Sequence, residues 1–490
     1  MSKSVIVVGS GFSGLASACF LAQSGKKVVV LEKNSSLGGR ARQFEVDGFT
    51  FDMGPSWYWM PEVFENFFNQ FGKSAKDYYN LIRLDPSYKV VWSQKDFWDI
   101  PANYEAFKDL LETYEKGAGD KLDEFMADAA YKYEVGMGKL VFNPSANPLK
   151  YLTKEVIEGI FKLQMFSSFR SHARKYFKHP QILALMEFPV LFLGATAQKI
   201  PALYSLMNFA DIKLGTFYPD GGMFKVIEGM VDLAKSLGVE FYTNAEVKEL
   251  KIKNRKIQSL VTTNGEFNCD IVLNTSDYHH FEMDLLPNDF QTYSEKQWDK
   301  KTMAPSSLLF YLGVNEIIPN LQHHNLFFDE DLDVHADEIY ENPKWPSQPL
   351  FYTCVPSKTD KTVAPIGKEN IFILIPIASN LKDDEVTHQK YYDFVMNKLQ
   401  KFTGVDVKSK VIYKKTFSGS DFKSDYNAYK GNAYGLANTL MQTAFLRPRV
   451  KSKKINNLYH AGQLTLPGPG MPPSLISGEI VAKEIINNWN

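Results

Sequence analysis

Residues 4–42, SVIVVGSGFSGLASACFLAQSGKKVVVLEKNSSLGGRAR, decide the fold class of this chain. Their first part is a short apolar run that ends in the pattern G-x-G-x-x-G, formed by Gly9, Gly11 and Gly14. Gly9 permits a tight turn, Gly11 lets backbone N–H groups approach a pyrophosphate, and Gly14 lets a helix pack closely on the sheet. The pattern predicts a strand, a glycine turn and a helix whose N-terminus faces the phosphates of a dinucleotide.

A second strand and an acidic residue follow at the distance that a dinucleotide-binding fold requires. We predict a helix over 15–23 and a strand over 28–31, directly before Glu32. The Glu32 carboxylate is then placed to accept hydrogen bonds from an adenosine ribose. A signal peptide is the alternative interpretation, but three glycines interrupt its apolar core and a second strand continues in register.

A second glycine turn distinguishes between the dinucleotides. Residues 37–42 read LGGRAR, and nicotinamide-binding folds have no general need for a glycine turn with a trailing arginine here. Gly38 and Gly39 allow another close backbone approach to the cofactor, and Arg40 brings a fixed charge with several donors. The run is similar to the G-G-R signature of flavoproteins that include amine oxidases, protoporphyrinogen oxidases and carotenoid desaturases. We therefore expect FAD as the cofactor.

Composition narrows the classes of function. The 490 residues are 44% hydrophobic and 14% aromatic, which allows two domains and a deep pocket for an apolar ligand. The net charge of −1 and the absence of a basic tract predict no nucleic-acid partner. Cys19, Cys269 and Cys354 match no metal-binding spacing, so we expect no metal and a reduced, cytoplasmic compartment. No apolar run approaches the length that spans a bilayer.

The predicted fold class is α/β, with a Rossmann-like FAD-binding domain and a mixed α+β substrate domain that contacts the membrane. Motif placement makes the FAD-binding domain discontinuous, over 1–85, 215–285 and 440–490. The substrate domain then comprises 86–214, helical by pattern, and 286–439, which contains strand-like runs. Long-ligand pockets often lie between two such domains.

Local patterns place further elements in both domains. The predicted helices cover 104–116, 118–137, 149–176, 223–237 and 474–488, and the predicted strands cover 239–243, 248–252, 256–263, 270–274, 307–312, 350–355 and 371–377. Ser474 is the expected N-cap of the last helix, whose N-terminus follows a Gly/Pro-rich loop. Loop and helix N-terminus together predict an anion site.

Several further motifs make the likeness to one flavoprotein group specific. They are FDMGPS at 51–56, YPDGGM at 218–223, Ala245 and Val247, AG at 461–462, GMPPS at 470–474 and SG at 477–478. With the N-terminal fingerprint, the chain resembles bacterial-type phytoene desaturases of the carotenoid desaturase family over most of its length. Gly462-Gln463 and Pro472-Pro473 depart from the commoner pattern, which leaves the substrate open.

The resemblance implies a set of FAD-binding residues, with Val247 contacting the adenine through its main chain. The set is Gly9, Gly11, Phe12, Ser13, Gly14, Glu32, Lys33, Gly38, Gly39, Arg40, Gly54, Pro55, Ser56, Val247, Gly462, Gln463, Gly470, Met471, Pro473 and Ser474.

The resemblance also implies the reaction, which is oxidation of a C–C single bond in a long polyene with FAD as hydride acceptor. Such chemistry needs positioning over the flavin and exclusion of water more than a side-chain acid or base. We therefore expect no catalytic triad, and the catalytic side chains are unknown. Asp52, the run 57–59, Lys430 and Tyr434 are weaker candidates for pocket residues.

Two histidine pairs are the remaining candidates for chemistry. His279-His280 and His323-His324 have no carboxylate at a catalytic spacing and no metal-ligand partner in the sequence. We interpret both pairs as loop or surface residues.

A carotenoid is dissolved in the apolar interior of a membrane, so we expect a peripheral protein on the cytoplasmic membrane. The run 149–174 mixes apolar residues, among them Phe161, Leu163, Met165, Phe166 and Phe169, with lysines and arginines. This mixture is typical of an interfacial helix, and equally of an amphipathic helix packed on the protein's own core.

Other functions stay open at this point. Within the same fold these are a desaturase of hydroxylated or monocyclic carotenoids, an oxygenase of carotenoid termini, and an amine or protoporphyrinogen oxidase. A non-catalytic isoprenoid escort of the Rab dissociation-inhibitor type belongs to a different class. The intact glycine motifs and Glu32 favour a flavin enzyme over an escort.

Overall fold

A five-stranded parallel sheet forms the centre of the dinucleotide-binding part in the computed structural model, which describes residues 3–142, 162–191, 193–443 and 446–489. Its strand order is Leu458–His460, Ile271–Asn274, Ser4–Val8, Lys27–Leu31 and Glu240–Tyr242. The central strand pairs in parallel register with both neighbours. Its valines and isoleucines are buried, as expected for a parallel sheet covered on both faces.

Three helices cover one face of this sheet. They are Phe12–Gln23, Phe224–Ser236 and the C-terminal helix Met471–Asn488. The helix Phe12–Gln23 packs against both others, and its small residues let the backbones come close. The two ends of the chain therefore lie side by side in one layer.

The other face is covered by a three-stranded antiparallel sheet of Val247–Lys253, Lys256–Thr262 and Gly265–Asn268. Leu250, Ile257 and Leu260 on its inner face share a buried cluster with Ile6 and Val272 of the parallel sheet. The strands carry buried residues on the side of the parallel sheet and exposed residues on the other side, and irregularities in the register interrupt a strict alternation.

A seven-stranded mixed sheet forms the second large sheet of the structure. Its order is Val411–Phe417, Ser306–Val314, Glu369–Ile377, Phe351–Cys354, His324–Phe327, Tyr88–Val91 and Phe97–Ile100. Because side chains alternate along a strand, Leu308 and Phe310 face the long helix Glu385–Thr403, whereas Leu309 and Tyr311 face the opposite core.

The remaining elements surround these sheets. Two-stranded pairs are Gln43–Val46 with Phe49–Asp52 and Leu81–Arg83 with Phe217–Pro219. Further helices are Pro61–Asn69, Tyr104–Tyr114, Ala118–Val135, Phe169–Ala173, Pro180–Leu191, Leu206–Asn208, Tyr278–His280, Glu295–Asp299, Leu332–Tyr340, Val407–Lys410 and Gly419–Tyr426. Segments of π-helix cover Gly136–Leu140, Phe209–Leu214 and Phe281–Leu285.

The predicted α/β class with a Rossmann-like part is confirmed, and several boundaries are corrected. The first helix begins at Phe12 rather than at residue 15, because Gly11 itself is the N-cap. The last helix begins at Met471 with Gly470 as N-cap, so the prediction of Ser474 as N-cap is wrong. Prolines at 472 and 473 fit a first turn, where the backbone N–H groups have no helical partner.

Two predictions for the first half of the substrate part are also corrected. The segment 86–214 is not purely helical, because Tyr88–Val91 and Phe97–Ile100 form an edge of the seven-stranded sheet. The predicted helix over 149–176 lies outside the described residues up to 161. In the remaining part of the predicted helix, up to residue 176, the α-helix Phe169–Ala173 has only five residues, and the Ser168 side chain caps it. A continuous interfacial helix over 162–174 is therefore excluded.

Among the described residues, no helix has both the length and the apolarity needed to cross a bilayer.

Candidate cofactor and substrate cavity

A large cavity of about 950 Å³ opens at the carboxyl ends of the parallel strands. Val8, Leu31 and Thr275, at the ends of three adjacent strands, line it. Open α/β sheets bind ligands at this edge, next to the point where the strand order reverses. From there the cavity extends to the inner face of the seven-stranded sheet, where Leu309 and Leu374 line it.

The glycine turn fits the close approach of a phosphate group. Gly9 has φ of +100°, which side-chain-bearing residues rarely adopt. A Cβ at Gly14 would lie 2.1 Å from the carbonyl oxygen of Gly9, whereas a Cβ at Gly11 would point into open space within the cavity. Gly11 therefore forms part of the cavity wall, and Gly14 is the contact between helix and turn.

Glu32 occupies the position expected of a ribose-binding carboxylate. It is buried at the cavity wall and accepts hydrogen bonds from the backbone N–H of Ser10 at 3.1 Å and from that of Asn34 at 2.9 Å. The Ser10 hydroxyl also donates to Glu32, at 2.5 Å, and accepts from Gly38 N–H at 3.1 Å. One network thus ties the two glycine turns to the carboxylate.

Arg40 is a cavity-lining guanidinium that forms no ion pair with a carboxylate of the described residues. It lies over the Tyr426 ring at 5.1 Å, and its Nε has no hydrogen-bond partner in the protein. When the Gln463 amide oxygen faces it, the two terminal nitrogens donate at 3.0 and 3.2 Å. Burial lowers the pKa of Arg40. Burial also raises the pKa of Asp277, and the positive charge of Arg40 partly offsets this increase. A bound anion would compensate this buried charge.

The C-terminal block completes the same region of the cavity. Gly462 and the start of the helix Met471–Asn488 both line it. The backbone N–H of Gly462 donates to Ser477 Oγ at 3.0 Å, so the loop is fixed on the helix that follows it. Gly470 has φ of +113° and is the N-cap of this helix. The first N–H groups of the helix have no partner within it, and they lie at the helix end that lines the cavity.

The predicted cofactor residues converge on this cavity, and Gly14 is the exception. The lining includes Gly9, Gly11, Phe12, Ser13, Glu32, Lys33, Gly38, Gly39, Arg40, Gly54, Pro55, Ser56, Val247, Gly462, Gln463, Gly470, Met471, Pro473 and Ser474. Val247 begins the antiparallel sheet beside the adenine end predicted for the cofactor. Binding of FAD by these residues stays a prediction.

Away from the glycine turns the cavity is an apolar channel. Its lining there is Trp57, Trp59, Met60, Tyr131, Val135, Gly136, Met137, Val141, Leu163, Met165, Leu193, Leu203, Tyr204, Leu206, Met207, Ser307, Leu309, Tyr352, Phe372, Leu374, Ala433, Tyr434, Asn438 and Thr443. None of these residues carries a charge. The charged lining residues Glu32, Lys33, Arg40, Glu246, Asp277 and Asp425 all belong to the cofactor end.

Tyr204, Thr443 and Asn438 form a polar patch in the wall of the channel. Tyr204 Oη and Thr443 Oγ1 are 3.3 Å apart, and Asn438 lines the cavity on the same segment as Thr443. Arg447 lies buried behind them and donates to Asn438 Oδ1. Burial lowers the pKa of Arg447 to about 10.

The weaker pocket candidates divide between wall and interior. Trp57, Trp59 and Tyr434 line the channel. Tyr58 points away from it and shares a hydrogen bond with Tyr79, and Lys430 forms an ion pair with Asp299 at 3.3 Å. Asp52 is outside the channel, where it accepts from Met223 N–H at 2.7 Å and Phe224 N–H at 3.1 Å; burial raises its pKa to about 6.

The histidine pairs differ from one another. His279 contacts Glu295 at 3.1 Å, and His280, which lines the cavity, contacts Asp284 at 2.6 Å. The prediction of a surface role for His323 and His324 is wrong, because both side chains are buried, although His323 does lie in the loop before the strand. They adjoin or begin an inner strand of the seven-stranded sheet, which the sequence pattern did not reveal.

Sequence reasoning missed most of the channel wall. Leu309 and Leu374 are register partners on neighbouring antiparallel strands, so their side chains lie on the same face of the sheet. The two-residue period within each strand could have shown which residues share that face. Tyr426, which lies under Arg40, is the last residue of the helix Gly419–Tyr426, and no local pattern marks it.

Comparison with known proteins decides the family. The model of the family described as flavin containing amine oxidoreductase matches residues 12–486. The chain belongs to this family. As a family member it is an FAD-dependent oxidoreductase, so the predicted cofactor and enzyme class are confirmed.

Two curated relatives of this flavin-dependent oxidoreductase match along nearly their whole length. A carotenoid 3,4-desaturase of Haloarcula japonica is 43% identical over 99% of this chain and 98% of its own. A 4,4'-diapophytoene desaturase (4,4'-diaponeurosporene-forming) of Staphylococcus haemolyticus is 31% identical over 99% of each. Among solved structures, an oxidoreductase from Methanosarcina mazei superposes with a TM-score of 0.63 at 15% identity, covering 98% of this chain and 100% of its own. That likeness concerns the fold.

The residues present fit FAD. An open glycine cradle at Gly11, a carboxylate at Glu32 and a buried cation at Arg40 without a carboxylate partner meet the needs of a pyrophosphate and a ribose. Residues 54–56 also line the cavity, and they directly precede Trp57 of the apolar channel in the chain.

Proposed function

We propose that this protein is an FAD-dependent carotenoid desaturase, which introduces C=C bonds into a long polyene. The observation that carries the proposal is the division of one cavity into a charged, glycine-rich end and an uncharged, apolar channel. A ligand that fills such a channel is long and apolar. Both curated relatives are named as desaturases of compounds of this kind.

FAD, when bound, supplies the hydride acceptor for such a reaction. The chain's own residues then bind, orient and enclose the polyene. The tryptophans and aliphatic side chains of the channel exclude water, which protects a cationic carbon chain from hydration. None of the described channel residues is a histidine, lysine, aspartate or glutamate, so the proposed catalysis rests on positioning.

In this proposal FAD is held by the residues predicted from the sequence. Gly11 and Gly39 admit the pyrophosphate, Glu32 binds the ribose, and Arg40 compensates negative charge. Gly14 acts indirectly by allowing the turn. The FAD-binding domain would comprise 1–85, 215–285 and 440–490, and the substrate domain 86–214 and 286–439.

Two substrate classes are distinguishable. A phytoene-type hydrocarbon would use only the apolar channel, whereas a hydroxylated monocyclic carotenoid would also find donors and acceptors at Tyr204 and Thr443. This polar patch favours an oxygenated end group, because its hydroxyl and amide groups can bind one within a largely apolar wall.

Expression in cells that accumulate one or the other precursor tests the proposal. We expect pigments with lengthened conjugation in at least one background, and Tyr204→Phe combined with Thr443→Val should lower conversion of the hydroxylated precursor alone. Unchanged pigments in both backgrounds, from an FAD-loaded protein, would contradict the desaturase function.

Peripheral attachment to the cytoplasmic membrane is the second part of the proposal. Tyr131 lines the channel and is also exposed, so the channel opens there. Phe142 and Phe166 adjoin lining residues in the chain, and Met441 lies two residues before the lining residue Thr443. All three are exposed, Phe166 and Met441 each to 72%. We call Tyr131, Phe142, Phe166 and Met441 the mouth residues. Exposed apolar side chains around an opening suit extraction of a lipid-dissolved substrate.

Liposome flotation tests the attachment. We expect the FAD-loaded protein to float with anionic vesicles, and Phe166→Ser with Met441→Ser to remain in the bottom fraction. Val386→Ser, which removes an apolar residue exposed to 82% on the helix Glu385–Thr403, is the control, since no residue of this helix lines the cavity. Equal flotation of all three proteins would contradict a role for the mouth residues.

A further inference from the structure

Three buried side chains with metal-binding atoms meet behind the channel wall. His324 and Cys354 are register partners across two antiparallel strands, so their side chains project from the same face of the sheet. His323 precedes the strand and turns towards the same point. One ring nitrogen of each histidine and the Cys354 sulfur lie within 4.8 Å of one another, and the exposed fractions of the three residues are only 4%, 0% and 2% for His323, His324 and Cys354.

The two imidazoles have the same pattern of contacts. Nδ1 of His323 is 2.8 Å from Thr359 Oγ1, and Nδ1 of His324 is 2.6 Å from Tyr352 Oη. Nε2 of each ring has no hydrogen-bond partner in the protein. Unpartnered polar atoms are rare in protein interiors and call for an explanation.

The contacts of Tyr352 show which tautomer His324 adopts. Tyr352 donates its hydroxyl proton to Ser56 Oγ at 3.0 Å, so its oxygen is left to accept from His324 Nδ1–H. The lone pair of His324 is then on Nε2. A ring whose Nδ1–H is fixed by an oxygen acceptor, with a free Nε2 lone pair, is the usual arrangement of a metal-ligating histidine.

Space is compatible with a cation. A small cavity of about 20 Å³ beside the cluster is lined by His323, Cys354 and Asp52 but not by His324, and it can hold one atom of the size of a water oxygen.

We propose that His323, His324 and Cys354 bind one borderline-soft transition-metal ion of the Zn²⁺ class. Two imidazole nitrogens and one thiolate form a ligand set typical of Zn²⁺, with a fourth position left for an oxygen ligand. Binding displaces the thiol proton of Cys354 to solvent, since the thiolate is the ligand. This proposal goes beyond the desaturase function and does not depend on it.

The site has a consequence for the channel. The His324 ring stacks on Trp57 with centroids 4.2 Å apart and an angle of 11° between the planes. Trp57 in turn lines the channel. An ion on Nε2 of His324 would therefore fix a wall residue of the channel without contacting the substrate.

Metal content and cobalt spectroscopy of the tag-free, FAD-loaded chain test the proposal. We expect zinc in stoichiometric amount after dialysis. After removal of zinc with a chelator, titration with Co²⁺ should produce an intense thiolate-to-cobalt charge-transfer band, which reports the sulfur ligand directly. Absence of zinc together with absence of this band would overturn the proposal.

Variants assign the band to its ligands. Cys354→Ser should abolish the charge-transfer band, and His323→Gln or His324→Gln should weaken Co²⁺ binding at least tenfold. Cys269→Ser, at a cysteine outside the cluster, is the control and should retain the band. A band that persists in Cys354→Ser would overturn the site. If this variant does not fold, as judged by bound FAD, the wild-type zinc and cobalt measurements still decide.

Discussion

The hydroxyl of Ser17 donates a hydrogen bond to the carbonyl oxygen of Gly478 at 2.9 Å, which joins the first and last helices of the chain. At the same contact a Cβ on Gly478 would lie 2.3 Å from the carbonyl oxygen of Ser13. The two helices can approach this closely only because position 478 has no side chain. The contact brings the N-terminal glycine turn and the C-terminal loop to one cavity.

Substitution of Gly478 should therefore affect stability and FAD binding together. Gly478→Val should lower the free energy of unfolding by about 2 kcal/mol or more, because the backbones must separate. Thermal unfolding and the flavin content of the purified protein measure the two effects. Gly138→Ala is the control, since a Cβ there meets nothing within 4 Å. An unchanged melting temperature and flavin content in Gly478→Val would refute this role.

Loss of the carboxylate at position 32 should weaken FAD binding. Glu32→Ala removes a buried acceptor of ribose hydroxyl groups and leaves Ser10 N–H without its partner. Hydrogen bonds to charged groups contribute about 1.5–3 kcal/mol, so the Kd for FAD should rise about 10-fold to 100-fold. Flavin fluorescence during equilibrium dialysis measures the Kd. Glu249→Gln, at an exposed position, should bind FAD as the wild type does, and equal affinity in both variants would contradict the assignment.

Narrowing the channel should reduce turnover of the polyene without loss of flavin. Met207 lines the channel and is half-buried, so Met207→Trp adds volume where the substrate is proposed to lie. We expect kcat/KM to fall about 10-fold to 100-fold, because displacement of the reacting bond lowers the rate steeply. Met207→Leu, which keeps the volume, is the control. Unchanged kcat/KM in Met207→Trp would place the substrate elsewhere.

A buried aspartate should make stability depend on pH. Asp211 accepts from Tyr88 Oη at 2.8 Å and from Thr216 Oγ1 at 3.2 Å, and burial raises its pKa to about 7. Its ordinary value is 3.8, so between about pH 4 and pH 7 the folded protein holds a proton that the unfolded chain has lost. Stability attributable to this group is therefore present below its unfolded pKa and is lost as the pH rises through the folded pKa.

Asp211→Asn isolates this contribution. The amide carries no charge at any pH, so the stability of the variant relative to the wild type should increase by up to about 1.4 kcal/mol per pH unit between pH 4 and pH 7. Urea unfolding at a series of pH values measures the difference. A difference that stays constant over this range would show that Asp211 does not retain its proton.

The sequence allowed the dinucleotide-binding part to be predicted because each of its steps is local. The glycine spacing at 9–14, the acid at 32 and the turn at 38–40 each have a backbone or charge requirement that the residue types reveal. Their convergence with 462–474 rested on resemblance, and their contact with FAD stays a prediction.

The channel and the buried histidines were less accessible to such reasoning. Cys354 follows His324 by 30 residues in the chain, and the pairing of these two residues across strands brings the cluster together. Long-range strand pairing of this kind is not encoded in any local pattern. The prediction of Ser474 as N-cap was wrong for a different reason, because Gly470 and the two prolines already form the start of the helix.

Anaerobic mixing of the FAD-loaded protein with a carotenoid precursor tests whether FAD accepts the hydride during desaturation. We expect the absorption band of the oxidised flavin to disappear while the polyene absorption shifts to longer wavelength, with equal amounts of flavin reduced and double bond formed. A precursor that binds in the channel while the flavin stays oxidised and the polyene spectrum stays unchanged would contradict it.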